Sequence, residues 1–216
     1  MNLLRIGNKQ DHKVPGRPPR FELIAGSVCL DFVNTLDDRP TKPRELLAHY
    51  RDLVRFGEAA GLLKPSQLRG LLKRSSADPR GARQALRRAR ELREAIHDVF
   101  WPIIRKRPVP AAALAKLNAS VQAAARHLRL LPVNRRFEWR FDGLTHFDSL
   151  LWPLARSAAR LLASDRLSLV RACSSRTCQW LFLDTSKNHH RRWCDMKRCG
   201  NREKVRRFYA RQTRED

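Results

Sequence analysis

Four of the five cysteines in this chain of 216 residues are confined to one short segment towards its C-terminal end. They form two pairs with the same Cys-x4-Cys spacing, and fifteen residues separate the pairs. Two short-loop pairs of thiolates supply the closed tetrahedral ligand set that Zn²⁺ prefers, with no position left for water. The spacing therefore predicts one structural zinc ion, held by Cys173, Cys178, Cys194 and Cys199.

The cysteine segment has little apolar core of its own, so zinc binding is expected to fold it. In small zinc-finger units the metal contributes on the order of 10–16 kcal/mol of folding free energy. His189 and His190 lie between the two pairs and are alternative nitrogen ligands. Because four cysteines already complete the shell, we expect these histidines to be solvated loop residues. Cys29, the fifth cysteine, lies in an apolar segment and is predicted to be a buried thiol.

Most of the chain before the cysteines has the apolar periodicity of helices. The strongest pattern begins where Asp78 is placed to cap a helix and Pro79 takes its first position. Gly61 is the predicted end of an earlier helix, and Pro108 ends the long one. Helices are therefore predicted over residues 49–60, 65–76, 78–107, 111–127 and 142–165.

Two segments are predicted to contain strands. Residues 21–36 are mostly apolar, which is typical of one or two short buried strands or of a strand that turns into a helix. Phe137, Trp139 and Phe141 alternate with charged residues, so this segment is predicted to be a strand with one solvated face. We expect it to pair with residues 128–133 across a turn at residues 132–135.

These patterns place the chain in the α+β class and predict two folded units. A mainly helical domain with a small β-sheet is predicted over residues 21–168, followed by a zinc-finger unit with four cysteine ligands over residues 169–216. Residues 1–20 are basic and rich in proline and glycine, which predicts a flexible arm. No stretch has the roughly 18 apolar residues of a membrane span and no signal-type apolar core is present, so we expect a cytoplasmic protein without membrane contact.

The spacing within the zinc-finger unit fits a knuckle, a hairpin and a helix. Residues 180–185 are predicted to form an apolar strand of the hairpin, with residues 191–193 returning the chain to the second cysteine pair. Asn201 is expected to cap the following helix, with Glu203 in its first turn. Trp180 and Trp193 are predicted to form the small apolar core of the unit.

That last helix is predicted to have two different faces. Val205, Phe208 and Tyr209 fall on one stripe, which we expect to pack on the zinc knuckles. The opposite side carries Lys204, Arg207, Arg211 and Arg214, and is expected to be free.

The charge of the chain points to a polyanionic partner. Lys and Arg number 45 against 21 Asp and Glu, which gives a formal net charge of +24. Residues 171–216 carry 13 Lys and Arg against 5 Asp and Glu, which makes this segment about twice as basic per residue as residues 21–170. Nucleic acid is therefore the leading partner class.

The order of motifs resembles a known family. The Cys-x4-Cys pair, WLFLDTS, RRWC and then CGNR at residues 199–202 is similar to the CGNR zinc finger. The upstream LDFVNTLDDRP at residues 30–40, followed by AAGLL, resembles the ABATE domain that precedes this finger. The resemblance implies an α+β domain before a treble-clef-like zinc unit in a candidate stress-induced transcription regulator. It also assigns the four cysteines above as metal ligands.

Charge and resemblance together predict a DNA-binding regulator, and no enzyme, because the zinc site is closed and no catalytic constellation stands out. The N-terminal domain is expected to sense a ligand or to form a homodimer. Asp31, Asn34 and Thr35 are candidates for a ligand pocket there, or are turn and cap groups at the end of a buried segment. An RNA- or ribosome-associated zinc protein and a protein-interaction finger remain the alternatives.

The candidate nucleic-acid contacts are basic residues of the zinc-finger unit, with Asn201, Arg202 or Arg206 nearest the base edges. For Asn201 and Arg202 a structural role is the favoured interpretation, and Arg202 would then pair with Asp184 or Asp195. The candidate contacts are Arg191, Arg192, Lys197, Arg198, Arg202, Lys204, Arg206, Arg207 and Arg211.

Overall fold

The computed structural model describes residues 20–143 and 145–212, with the exception of the side chains of Arg207 and Arg211. The flexible arm predicted for residues 1–20 lies outside the described residues except for Arg20, and so does Arg214. The predictions that concern those residues therefore stay predictions.

Helices dominate the described chain, and four of them begin and end close to the predicted positions. Asp78 caps the longest helix as expected, since its Oδ1 accepts a hydrogen bond from the Gly81 backbone N–H at 2.8 Å. The helices are α1 (Val28–Val33), α2 (Tyr50–Ala59), α3 (Pro65–Ala77), α4 (Pro79–Ile104), α5 (Ala111–Ala125), α6 (Leu151–Leu162) and α7 (Asn201–Gln212).

Within residues 20–143 and 145–212, three two-stranded antiparallel sheets accompany the helices. The predicted hairpin is confirmed: its strands pair from Leu128 opposite Phe141 to Val133 opposite Arg136. Asn134 and Arg135 both have positive φ angles, as a tight two-residue hairpin turn requires. The strands are β1 (Leu36–Asp37), β2 (Arg44–Glu45), β3 (Leu128–Val133), β4 (Arg136–Phe141), β5 (Val170–Ala172) and β6 (Leu181–Leu183). The α+β class predicted from the sequence is confirmed.

Two element predictions are wrong. Residues 21–27 contain no strand; instead Gly26, with φ of +77°, turns the chain into α1. The helix predicted from residue 142 begins only at Leu151, because Gly143 has a positive φ and residues 145–150 form turns. Apolar composition alone did not separate a short buried helix from a strand, and polar turn residues did not mark the late start of α6.

The core of the N-terminal part lies between α1, α2, α4 and α6. Phe32, Phe56, Phe100 and Leu154 are fully buried there, and Cys29 is buried as predicted. Burial also raises the pKa of the Cys29 thiol, which keeps it protonated. No helix in the described ranges is both long and apolar enough to cross a membrane.

Candidate metal centre and nucleic-acid interface

The four predicted zinc ligands meet at one point. Their sulfur atoms all lie within 4.8 Å of one another, and each of the four cysteines is buried. The Sγ of Cys194 lies 3.6 Å from the Sγ of Cys178 and 3.6 Å from that of Cys199. Tetrahedral zinc with Zn–S bonds of about 2.3 Å places sulfur atoms about 3.8 Å apart. The donor set and its size therefore fit one structural zinc ion.

Hydrogen bonds to neighbouring residues position both cysteine pairs. Cys173 follows β5, and its N–H donates to the Trp180 carbonyl at 2.8 Å. In the second pair, Asp195 accepts from the Arg198 N–H through its side chain at 2.8 Å. The Asp195 carbonyl accepts from the Cys199 N–H at 3.0 Å. Asp195 therefore helps to set the distance between Cys194 and Cys199.

A buried carboxylate organises the loop between the pairs, a role that sequence reasoning missed. Asp184 is fully buried, and its Oδ2 accepts from the Arg191 N–H at 2.9 Å. Its Oδ1 accepts from the N–H and the hydroxyl of Ser186. Although burial opposes ionisation, these hydrogen bonds lower the pKa of the Asp184 carboxyl. The Asp-x-Ser spacing after an apolar strand was the signal available in the sequence.

The loop histidines behave as expected. His189 and His190 are exposed, and the His189 Nδ1 lies 3.0 Å from the Asp184 carbonyl oxygen. Among the described residues the ligand cluster consists of the four cysteines without a histidine.

Comparison with known families agrees with this geometry. The profile of the CGNR zinc finger matches residues 170–212, which contain all four cysteines. The profile of the ABATE family, described as candidate stress-induced transcription regulators, matches residues 26–165, more than half of the chain. The chain belongs to the ABATE family. No curated protein matches it. Both profiles are of regulatory or zinc-finger type rather than of enzymes.

Three local predictions for the CGNR finger are wrong. The strand β6 pairs with β5, not with residues 191–193, because β5 precedes the first cysteine and lies antiparallel to β6. Asn201 does not cap α7, because a π-helical turn at Met196–Gly200 runs directly into the helix and Asp195 caps that turn. Arg202 donates to the Thr177 hydroxyl at 2.7 Å, rather than to Asp184 or Asp195.

The apolar stripe of α7 does not pack on the zinc knuckles. Val205, Phe208 and Tyr209 are 55%, 59% and 62% exposed. The finger instead buries β6 and Trp180 in the core that it shares with the ABATE domain, so the knuckles need no cover from α7. Trp180 is a core residue of the finger as predicted, whereas Trp193 is half-buried.

The predicted nucleic-acid contacts divide into two groups. Three arginines are engaged within the protein: Arg191 donates to the Trp193 and Cys194 carbonyls, Arg198 pairs with Glu22, and Arg202 bonds Thr177. The exposed group consists of Arg192, Lys197, Lys204 and Arg206. The side chains of Arg207 and Arg211 are not among those that the structure describes.

The candidate pocket residues all contact the protein backbone. Asp31 accepts from the Ala25 N–H at 2.9 Å, and Thr35 donates to the Phe32 carbonyl at 2.6 Å. The Asn34 amide donates to the Leu181 carbonyl and accepts from the Leu181 N–H, both at 2.9 Å. These are the roles of turn and cap groups, and Asn34 in addition joins the ABATE domain to the finger.

A second backbone contact strengthens this junction. The Leu183 N–H donates to the Ala25 carbonyl at 2.8 Å. The N–H of the same Ala25 donates to the Asp31 carboxylate. The strand β6 is therefore bonded to the ABATE domain at both of its ends.

Proposed function

We propose that this chain is a transcription regulator that binds duplex DNA through α7. The observation that carries the proposal is the exposure of α7. This helix begins directly after the last zinc ligands, and its basic and large apolar side chains are in contact with solvent. The major groove of B-DNA is wide enough to admit an α-helix. The zinc centre and the junction with the ABATE domain provide the rigid base that such a helix needs.

Four of the predicted contacts are exposed cations near the zinc centre and are available for phosphates. Arg192 and Lys197 lie on the knuckles, and Lys204 and Arg206 lie on α7. Arg206 also contacts Glu203 at 3.1 Å, but this pair is solvent-exposed at the arginine and costs little to open. These side chains account for the electrostatic part of binding.

The apolar side chains of α7 supply the remaining part of the proposal. Val205 and Phe208 are more than half exposed and carry no polar group that solvent would stabilise. In a major groove such side chains make apolar contact with the methyl group of thymine. The corrected packing of α7 therefore supports base contacts better than the predicted packing did.

The test is a selection from random duplex DNA with zinc-loaded full-length protein at about 150 mM salt, since non-specific binding dominates at lower salt. We expect a sequence motif that disappears when zinc is chelated. The variant Lys204→Glu/Arg206→Glu should bind the selected site at least about tenfold more weakly. Its control, Arg107→Glu/Arg126→Glu, makes the same charge change at exposed positions of the ABATE domain and should bind normally.

Two outcomes would contradict the proposal. Binding without any sequence motif, reduced equally by both variants, would leave only a polyanion-binding surface and favour structured RNA. Binding to a protein partner that is nearly independent of salt would favour a protein-interaction finger.

A further inference from the structure

A groove in the ABATE domain is lined by five arginines. It lies between α2, α3 and α4 and has a cavity volume of about 900 Å³, a size that suits a small-molecule ligand. We call it the arginine groove. Its cationic lining residues are Arg51, Arg55, Arg83, Arg87 and Arg90.

Helical spacing explains why the arginines face one another. Arg51 and Arg55 are four residues apart on α2, and Arg83, Arg87 and Arg90 follow at intervals of four and three on α4. Residues at these intervals share one face of a helix. Two rows of guanidinium groups therefore border the same groove.

The arginines are only partly neutralised. Carboxylates contact three of them, with Asp52 3.7 Å from Arg55, Glu91 3.6 Å from Arg87 and Glu45 3.4 Å from Arg90. Arg90 also donates to the Leu47 carbonyl at 2.6 Å, which makes it part of the fold. Among the described residues no carboxylate lines the groove itself or pairs with Arg51 or Arg83.

The floor of the groove is apolar. Leu72, Ala82 and Leu86 line it, and Tyr50 lies at its edge with its hydroxyl bonded to the Phe147 carbonyl. A planar or apolar part of a ligand could cover this floor while anionic groups reach the arginines. The backbone of duplex DNA offers phosphate and sugar but no apolar face, so the floor favours a smaller organic anion.

The groove is separate from the zinc finger. Ile103 and Ile104, at the end of α4, share a cavity with Val170 of β5. At 1.5 Å per residue, Arg87 lies about 24 Å from Ile103 along the helix axis. The residues that line the groove all belong to the ABATE domain.

We propose that the arginine groove binds an organic anion carrying two or more phosphate groups, such as a nucleoside triphosphate. Arginine pairs with phosphate through two parallel hydrogen bonds, and two rows of arginines match a chain of phosphates better than a single one. This proposal does not rest on DNA binding by α7.

The experiment is isothermal titration calorimetry of zinc-loaded full-length protein with ATP and, separately, with AMP at about 150 mM salt. ATP should bind at least about tenfold more tightly than AMP, because it can engage both arginine rows. The variant Arg51→Ala/Arg83→Ala removes the two arginines without a carboxylate partner and should weaken ATP binding about tenfold. Its zinc content and circular dichroism should be those of the unaltered protein.

The control Arg69→Ala/Arg80→Ala removes two exposed arginines of α3 and α4 that do not line the groove, and should bind ATP normally. The proposal is overturned if ATP shows no saturable binding up to about 1 mM, or if both variants lose the same affinity. It is also overturned if the groove variant weakens binding to duplex DNA while leaving ATP binding intact. Unchanged DNA binding in the α7 variant would contradict only the proposed function.

Discussion

Asn34 shows how one side chain can determine the position of a whole unit. It is buried, and its amide satisfies both backbone groups of Leu181 across 147 positions of sequence. A side-chain amide carries a hydrogen-bond donor and an acceptor at the same distance from the backbone. The junction between the ABATE domain and the finger therefore depends on the identity of this residue.

Replacing Asn34 by alanine should destabilise the chain by about 2–4 kcal/mol, because the Leu181 N–H and carbonyl would be left buried without partners. Urea unfolding followed by tryptophan fluorescence measures this change. Asn118→Ala, at an exposed position of α5, should change the free energy of unfolding by less than about 0.5 kcal/mol. Equal effects of the two substitutions would contradict the assigned role of Asn34.

Asp31 should make stability depend on pH. Burial raises its pKa from 3.8 to about 6, although the N–H groups of Ala25 and Ile24 oppose the shift. The folded state therefore holds the proton more tightly than the unfolded state, and stability falls as pH rises between those two values.

Between about pH 5 and about pH 7.5, the protein should lose about 1 kcal/mol of stability relative to Asp31→Asn. Parallel urea titrations of both proteins across this range give the difference directly. A constant difference would mean that Asp31 titrates at its ordinary value.

At the scale of elements, regular helices and the hairpin were predictable and the finger contacts were not. Asp78, Pro79 and the alternating aromatics of β4 are local signals, and local signals were sufficient for α2–α5 and for the hairpin register. The late start of α6, the pairing of β5 with β6 and the exposure of α7 depend on distant contacts. The four ligands were predictable because metal geometry restricts cysteine spacing directly.

The hairpin β3–β4 has an apolar face that only partly reaches the core. Phe137 and Trp139 are 69% and 57% exposed, whereas Phe141, on the same face, packs towards Trp152 with ring centroids 6.3 Å apart. The alternation predicted one solvated face, but most residues of both strands are exposed, so most of the hairpin is solvated on both faces.

Phe137→Ser/Trp139→Ser should therefore change the free energy of unfolding by less than about 0.5 kcal/mol. Phe141→Ser should cost about 1–2 kcal/mol, since its partly buried ring loses contacts with the core. Thermal unfolding of the three proteins tests the difference. If the double variant were the less stable, the exposed end of the hairpin would have a packing role.

At the scale of the whole molecule, the finger and the ABATE domain share one apolar core. Cys173, Trp180 and Phe182 belong to the same buried cluster as Phe32 and Phe100. The domain boundary predicted at residue 168 thus separates two sequence motifs. The apolar core, in contrast, contains residues from both sides of this boundary.

Removing zinc should consequently lower the unfolding temperature of the ABATE domain as well as that of the finger. Differential scanning calorimetry with and without a chelator should show one transition that moves to lower temperature. Cys178→Ala should behave like the chelated protein. Cys29→Ala removes a buried thiol that is not a ligand and should still bind one zinc ion. An unchanged transition of the ABATE domain after chelation would contradict the shared core.

The junction at Asn34 also predicts which substitutions the chain tolerates. Its two hydrogen bonds go to the main chain of residue 181, which every amino acid except proline provides in full. Side-chain substitutions within β6 should therefore keep the hydrogen bonds between the finger and Asn34 of the ABATE domain, provided that the apolar volume is kept. A scan of all substitutions should find position 34 restricted to a single residue, and position 181 open to several aliphatic ones.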